Sequence, residues 1–361
     1  MPLVYNQDLP SYNRLRKEGQ EILTPDRAAN QDIRELHIGI LNMMPDRALE
    51  AIERQFLRLI GNSSLIAQFH IHFFTIDKIE RTAQVSDHIK AHYKPFDQLK
   101  EEGLDGLIVT GANVSQPDLS QEPFWDDLCA VFDWAEENVT STICSCLATH
   151  AAAQHFYGIK RQAMKQKLSG LYDHCKTDQE HPLLQSVNTR FSVPHSRYNE
   201  ITREKFEKAG CHILVESNEA GVHMATSPDR FRFVFFQGHP EYDTHSLLKE
   251  YKRDIHSFIH EDADSWPNLP QNYFSEQSVA ILEEFKAKCI RAIEHNNDLP
   301  EFPETLLNER LFNIWRDTSK SIMNNWIGNT YQVTHVERAK PYMEGIDRND
   351  PLGIKTKSKV A

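Results

Sequence analysis

Between residues 36 and 157, apolar stretches alternate with amphipathic ones, and this alternation constrains the fold more than any other sequence feature. The apolar stretches predict buried strands, and apolar residues three or four positions apart in the segments between them predict helices. Strands are expected at 36–44, 67–77, 107–110 and 140–145, and helices at 46–60, 124–137 and 147–156. Strands that alternate with helices usually form a parallel sheet covered on both faces. The sequence therefore predicts an α/β fold.

The later part of the chain predicts a different arrangement of elements. Three strand candidates lie close together at 211–217, 221–227 and 231–237, and a helix with Leu247, Leu248, Tyr251 and Ile255 on one face follows them. Beyond residue 262, helical runs at 278–295 and 304–326 are separated by proline-containing loops. We expect an N-terminal arm (1–35), a main domain (36–262) and a mostly helical section packed on it (263–361), with a loose tail past Arg348.

Charge and cysteine content narrow the classes of function. With 40 basic and 52 acidic residues the net charge is -12, and a chain this acidic is a poor general binder of nucleic acid. The first 18 residues have no apolar signal-peptide core, and no apolar run approaches the length of a membrane span. The six cysteines form no C-x-x-C pair and no zinc spacing. We expect a cytoplasmic protein with free thiols.

A cysteine lies where the strand at 140–145 meets the following helix. Sites in open α/β sheets form at the carboxyl ends of strands, and the N-terminus of a helix favours a thiolate and offers unpaired N–H groups. Cys146 is therefore a candidate nucleophile, although its location alone is equally typical of a small core cysteine. Cys144 competes for the role, but it lies deeper in the apolar run, where burial disfavours ionisation.

A second candidate group follows the strand at 231–237. His239 comes directly after Gly238, and Glu241 follows two residues later. This spacing between the histidine and the glutamate lets the carboxylate orient one imidazole nitrogen while the other faces a nucleophile. A histidine and a glutamate at this spacing more often belong to a structural turn. Together with Cys146 they predict a Cys–His–Glu triad.

These residues and several longer motifs resemble the homoserine acyltransferase family of methionine biosynthesis, which is related to class I glutamine amidotransferases. The resemblance extends from about residue 36 to residue 259, with two short elements near the end of the chain. The matching segments are ILNMMP (40–45), QFLRL (55–59), GLIVTGA (106–112), VTST (139–142), KLSGLY (167–172), PHSRY (194–198), GHPEYD (238–243), NW (325–326) and YQ (331–332). The resemblance implies a flavodoxin-like, amidotransferase-like fold and a homodimer.

The resemblance also implies roles for individual residues. Cys146 would carry the acyl group as a thioester, His239 would accept the proton, and Glu241 would support His239. The positions that contact substrate in the family are Lys167, Ser196 and Arg253 here, although each taken singly is more typical of a solvated or turn residue. We expect the N–H groups of Leu147 and Ala112 to form the oxyanion hole, and no cofactor beyond succinyl-CoA as co-substrate.

The chain departs from the family pattern at several positions. Leu147 stands where tryptophan is common and His150 where glutamine is usual, and the section past residue 261 looks longer than usual. Ser115 occupies the position that selects the acyl group, where acetyl-using members resemble one another in having glutamate and succinyl-using members in having glycine. Because serine is small and uncharged, we expect a succinyl donor.

Other functions stay open at this point. Acetyl transfer to homoserine and acyl transfer to serine are the nearest alternatives. A glutaminase is less favoured, because its cysteine usually lies in a G-x-C-x-G turn, whereas Cys144 and Ala148 flank Cys146. An inactive binding module would more typically lack a triad residue. His70 and His72 suggest a metal site, but a solvated strand face is favoured and no metal is expected.

Overall fold

The computed structural model describes residues 3–5, 9–20, 22–30, 33–64, 67–260 and 263–357. In this part of the chain nine strands form one sheet, in the order β2-β1-β3-β4-β9-β8-β7-β5-β6. The strands are β1 (Glu35–Leu41), β2 (Gln68–Phe74), β3 (Gly106–Val109), β4 (Ser141–Ser145), β5 (Gln162–Lys176), β6 (Arg190–Glu200), β7 (His212–Ser217), β8 (Gly221–Thr226) and β9 (Phe233–Phe236).

The sheet is parallel in one half and antiparallel in the other. Strands β2, β1, β3, β4 and β9 pair in parallel, as the alternation of strands and helices predicts. Strands β8, β7, β5 and β6 continue the sheet with antiparallel pairs. The long β5–β6 hairpin was not predicted, because β5 is largely exposed in its first half and lacks a regular apolar alternation. The α/β class is confirmed, with a mixed rather than a purely parallel sheet.

Helices cover both faces of the sheet. They are α1 (Pro10–Lys17), α2 (Pro25–Ala29), α3 (Asp46–Ser63), α4 (Ala83–His92), α5 (Phe96–Glu102), α6 (Trp125–Asn138), α7 (Leu147–Tyr157), α8 (Arg203–Lys208), α9 (Ser246–Ile259), α10 (Glu276–Glu294), α11 (Glu304–Asn308), α12 (Arg316–Val333) and α13 (Ile354–Lys357). Short 3-10 turns lie at Leu119–Gln121 and Pro182–Leu184. Among the described residues, no helix combines the length and apolarity needed to cross a membrane.

Alternate residues of the central strands supply two separate cores. On one face, Ile108 and Ile143 pack in a cluster with Phe56 of α3 and Trp326 of α12. On the other face, neighbouring strand residues such as Leu107 pack with residues of α6 and α7. Because successive strand side chains point to opposite faces, a nearly continuous apolar strand such as β3 can serve both cores.

The C-terminal section contributes directly to the main core. Trp326 of α12 is 1% exposed, and its indole N–H donates to the Ser141 hydroxyl at 2.8 Å. A methyl group added to Gly106 would lie 2.8 Å from the Trp326 ring, so the ring rests directly on β3. A third cluster joins α9 to α10 through residues such as Leu248 and Phe285. The domain boundaries themselves stay predictions.

Two expectations for the C-terminal section were wrong. The helical run expected at 304–326 is two helices, α11 and α12, because residues 309–315 form a non-helical connection. The tail was expected to be loose past Arg348, but Asp350 is 7% exposed and its carboxylate accepts from the N–H of Ile354 at the start of α13. This capping interaction anchors residues that composition alone marks as polar tail.

Replacing Trp326 with alanine should lower the free energy of unfolding by about 3–5 kcal/mol, because it leaves a large cavity between α12 and β3. Urea unfolding followed by circular dichroism measures this change. The control is Phe312→Ala, whose side chain is 73% exposed and whose effect should stay within about 0.5 kcal/mol. Equal stabilities for the two variants would contradict the placement of α12 in the core.

Candidate active site

Cys146 lies on a sharp turn between β4 and α7. Its backbone angles are φ 53° and ψ -107°, a conformation that non-glycine residues rarely adopt. The Cys146 N–H donates to the Phe236 carbonyl at 2.8 Å. The Thr149 hydroxyl bonds to the carbonyl oxygens of both Cys144 and Phe236, at 2.7 and 2.9 Å. These bonds tie the turn to the ends of two parallel strands and hold the strained residue in place.

The end of the neighbouring strand β3 lies beside this turn. A methyl group added to Gly111 would be 3.9 Å from the Cβ of Cys146. Leu147 begins α7, so its N–H has no partner within the helix. The Leu147 and Ala112 side chains line the same cavity as Cys146. The two residues predicted to form the oxyanion hole therefore border the same cavity as Cys146.

His239 and Glu241 follow β9 and face Cys146. The His239 Nδ1 lies 2.8 Å from a carboxylate oxygen of Glu241. The imidazole is also close enough to Cys146 for the two side chains to interact electrostatically. The backbone N–H of His239 donates to the Pro194 carbonyl at 2.8 Å. The Tyr242 ring stacks on the His239 imidazole at a centroid distance of 4.2 Å. The three residues of the predicted triad therefore lie together.

Gly238 lets this segment approach the antiparallel half of the sheet. A methyl group there would lie 2.8 Å from both His223 and Val193 and 2.9 Å from His195. These contacts are shorter than side chains tolerate without rearrangement. Glycine at this position therefore allows the segment that carries His239 to lie against β6 and β8.

Electrostatics distinguish the two cysteines and charge the imidazole. Burial alone would lower the pKa of His239, but the Glu241 carboxylate and Cys146 outweigh it and raise that pKa well above its ordinary value. Burial raises the pKa of the Cys144 thiol strongly, and this side chain is fully enclosed. Cys146 is partly exposed and borders the cavity. The structure thus separates the two thiols by their surroundings, whereas their relative reactivity stays a prediction.

Lys167, Ser196 and Arg253 gather at one side of the cavity, around two carboxylates of α9. The Lys167 ammonium lies 2.6 Å from Asp254, and the Arg253 guanidinium donates to the same carboxylate at 2.7 and 2.9 Å. The Ser196 hydroxyl donates to Glu250, and so does the Tyr242 hydroxyl. The three residues predicted to contact substrate thus share one polar cluster.

Arg161 lies at a different side of the cavity. Its Nη2 donates to the Gln116 carbonyl at 2.8 Å, and its buried Nε has no hydrogen-bond partner. The cavity has a volume of about 400 Å³, and near Arg161 it is lined by residues of the loop after β3 and by His150. Burial lowers the pKa of His150 to about 3. The Arg161 guanidinium thus adjoins the loop that contains the predicted acyl-selecting position.

Ser115 itself is not among the described residues that line this cavity, whereas Asn113 and Val114 are. The N–H groups of Ser115 and Gln116 both donate to the Glu122 carboxylate at 2.6 Å. Glu122 therefore holds this loop in shape.

Sequence reasoning missed Arg161, Glu250 and Tyr242. Glu250, Arg253 and Asp254 are spaced three and four residues apart, which places them on one face of α9 and could have indicated the polar cluster. Arg161 follows α7 in a segment without a motif, so only its position in the fold reveals it.

The prediction that His70 and His72 belong to a solvated strand face was wrong. His72 is 4% exposed, and the strand that carries it is covered on both faces. Among the described residues, His70 joins Glu35 and His37 in a group whose ligand atoms lie within 4.8 Å of one another and could hold a metal ion.

Comparison with known proteins identifies the family. A family model described as homoserine O-succinyltransferase matches residues 2–336. Proteins named homoserine O-succinyltransferase from Methylobacter tundripaludum and Nitrosococcus oceani are each 54% identical, over 98% of this chain and 100% and 99% of theirs. One from Cardiobacterium hominis is 50% identical over 98% of this chain and 99% of its own. Against these relatives the section past residue 261 is not an extension.

Solved structures that show similarity to this chain include a glutamine amidotransferase from Methylobacillus flagellatus, with 14% identity, a TM-score of 0.44, and coverage of 82% of this chain and 95% of that one. The glutaminase domain of Trypanosoma brucei CTPS has 14% identity, a TM-score of 0.42, and coverage of 66% and 98%. On the family match and the end-to-end similarity to its relatives, this chain belongs to the homoserine O-succinyltransferase family.

Proposed function

We propose that the chain transfers a succinyl group from succinyl-CoA to the hydroxyl group of L-homoserine, through an acyl intermediate on Cys146. The observation that carries this proposal is the convergence of Cys146, His239 and Glu241 on one cavity that has cationic groups at two separate sides. The names of the curated relatives describe the same reaction.

In the first half-reaction, Cys146 attacks the thioester carbonyl as a thiolate. The charged imidazole of His239 stabilises the thiolate before attack, and the N–H groups of Leu147 and Ala112 bind the developing oxyanion. The carbon–sulfur bond to CoA then breaks, and His239 gives its proton to the leaving sulfur. CoA departs as a thiol, and the enzyme holds a succinyl thioester beside a neutral imidazole.

In the second half-reaction, neutral His239 removes the proton from the homoserine hydroxyl. The oxygen attacks the succinyl thioester, and Cys146 leaves as a thiolate beside a protonated His239. Glu241 keeps the imidazole oriented through both steps by its bond to Nδ1. This sequence of events is a ping-pong mechanism.

The cluster on α9 suits the amino-acid end of homoserine. Arg253 and Lys167 offer positive charge for the carboxylate, and Glu250 offers negative charge for the ammonium group. In the structure these charged groups pair with one another and with Asp254. Ser196, bonded to Glu250, then orients this carboxylate toward the acceptor.

Arg161 suits the free carboxylate of the succinyl group. The chain is strongly acidic, so an anionic acyl group needs a local cation. The unpaired Nε of Arg161 lies beside the loop after β3, away from the cluster on α9. The Ser115 side chain is small and uncharged, so it neither fills the neighbouring cavity nor repels an anionic acyl group.

A larger cavity of about 1160 Å³ adjoins the first and shares Lys167 and Tyr198 with it. Its walls include Lys165 and the Trp266 ring, and we place the body of CoA there. Under this proposal the enzyme acts in the cytoplasm as a homodimer and uses no bound cofactor. The six cysteines, all in the described chain, are free thiols, which suits a reducing compartment.

Mass spectrometry of protein incubated with succinyl-CoA and no homoserine should reveal one added succinyl group. The adduct should be absent from Cys146→Ala and present in Cys144→Ala, because Cys144 is enclosed and un-ionised. Addition of homoserine should remove it. A parallel incubation with acetyl-CoA should give less adduct, and more acetyl than succinyl adduct would overturn the assigned donor.

Replacing Glu241 with glutamine should lower the pKa of His239, because the carboxylate charge raises it. The imidazolium is then lost at a lower pH, so the pH at which iodoacetamide alkylates Cys146 should move upward. Turnover should fall by roughly 10²-fold to 10⁴-fold. Glu207→Gln, on the exposed face of α8, should change neither. An unshifted alkylation profile in Glu241→Gln would remove Glu241 from the triad.

Replacing Arg161 with glutamine should lower kcat/KM for succinyl-CoA by about 10- to 100-fold, because a charge-assisted hydrogen bond is lost. The value for acetyl-CoA should fall much less, and Arg161→Lys should retain part of the preference. The control is Lys160→Gln, whose side chain is 71% exposed and pairs with Asp118. Equal losses with both donors in Arg161→Gln would show that Arg161 only supports the loop.

A further inference from the structure

A compact group lies where β1 and β2 begin and consists of Glu35, His37 and His70. It is at the amino ends of the parallel strands, whereas Cys146 is at their carboxyl ends. Glu35 and His37 are two residues apart on β1 and therefore share a face. His70 is the partner of His37 in the parallel register of β1 and β2. The two imidazole rings stack at a centroid distance of 4.7 Å with an angle of 8° between their planes.

The potential ligand atoms converge on one point. One carboxylate oxygen of Glu35 lies 3.3 Å from the Nε2 of His37, and the other lies 3.6 Å from the Nε2 of His70. A tetrahedral zinc ion with bonds of about 2.0–2.2 Å separates its ligand atoms by roughly 3.3–3.6 Å. The two distances from the Glu35 carboxylate to the histidine nitrogens fall in this range, and the ligand atoms of all three residues lie within 4.8 Å of one another.

The surroundings hold the ligands in a binding form. The Nδ1 of His37 is hydrogen bonded to His72 at 2.9 Å, which orients the His37 ring, and metal-binding histidines usually have such a partner. The backbone N–H of His37 donates to the Asp105 carboxylate at 2.8 Å, which fixes this part of β1. The Nε2 of His70 is buried and has no hydrogen-bond partner.

We propose that Glu35, His37 and His70 bind a divalent transition-metal ion of the zinc class, with water at a fourth position. Two of the three ligands are imidazole nitrogens, which suit zinc and disfavour magnesium and calcium. The ion would cross-link β1 to β2. The site lies apart from the cavity that contains Cys146, so its role is structural and independent of acyl transfer.

Neighbouring cations limit the affinity of this site. The charges of Lys94 and Arg338 both act on His70, and they oppose a divalent ion at the same place. Arg338 donates to the Glu102 carbonyl from its Nε. Replacing Arg338 with glutamine should therefore tighten zinc binding, whereas a site that depended on this arginine would be weakened by the change.

The test is calorimetric titration of the chelator-treated full chain with Zn²⁺, together with the shift in Tm. The native chain should bind one equivalent of Zn²⁺ at this site, and its Tm should rise. Mg²⁺ should neither bind there nor raise the Tm. Both Glu35→Gln and His70→Gln should lose that equivalent. His72→Gln should weaken it by about 10- to 100-fold. Zinc affinity and stoichiometry unchanged in Glu35→Gln and His70→Gln would overturn the proposal.

Two other groups among the described residues could also bind zinc, namely the His256–His260 pair and the Cys146 thiol beside His239, and the experiment distinguishes them from the proposed site. The stacked rings of His256 and His260 on the surface of α9 are removed in His256→Gln, which should keep the equivalent. Cobalt in place of zinc should show no thiolate charge-transfer band, because the site contains no sulfur. Glu35 is part exposed, so Glu35→Gln should fold and retain succinyl transfer. Loss of the equivalent in His256→Gln, or a thiolate band, would contradict the assignment.

Discussion

The strained turn at Cys146 is the feature on which the rest of the site depends. Its positive φ is maintained because Cys146 and Thr149 both bond to the carbonyl of Phe236, the last residue of β9. The same bonds fix the end of β4 against the end of β9. His239 is the third residue after the end of β9. The parallel pairing of these two strands therefore places a cysteine beside a histidine from a distant part of the chain.

Charge is organised around this sulfur in an otherwise acidic protein. Carboxylates hold the cations in place, since Asp254 binds both Lys167 and Arg253. Glu122 holds the loop beside Arg161, and Glu241 charges His239. Positive groups thus border one cavity next to two different elements, the loop after β3 and helix α9. In the proposed mechanism these groups bind the anionic acyl donor and the zwitterionic acceptor separately.

Much of this could be predicted from the sequence because the signals are local. The strand, turn and helix around Cys146 follow from a few consecutive residues, and His239 and Glu241 are close enough to interact through their spacing alone. The β5–β6 hairpin could not be predicted in the same way, because its strands are stabilised by pairing with each other and with neighbouring strands rather than by their own apolar pattern. His70 and His72 were misjudged because burial depends on what covers a strand.

The sequence by itself determined the α/β class, the position of the nucleophile candidate and the motifs that mark the family, since these depend on residues near one another in the chain. The tertiary structure decided which thiol meets His239, because Cys144 and Cys146 differ only in what surrounds them. It also turned Ser115 toward Glu122, brought Arg161 to the cavity and gathered Glu35, His37 and His70. Apart from the Ser115–Glu122 contact within one loop, these outcomes depend on contacts between segments that are distant in the sequence, which no local pattern encodes.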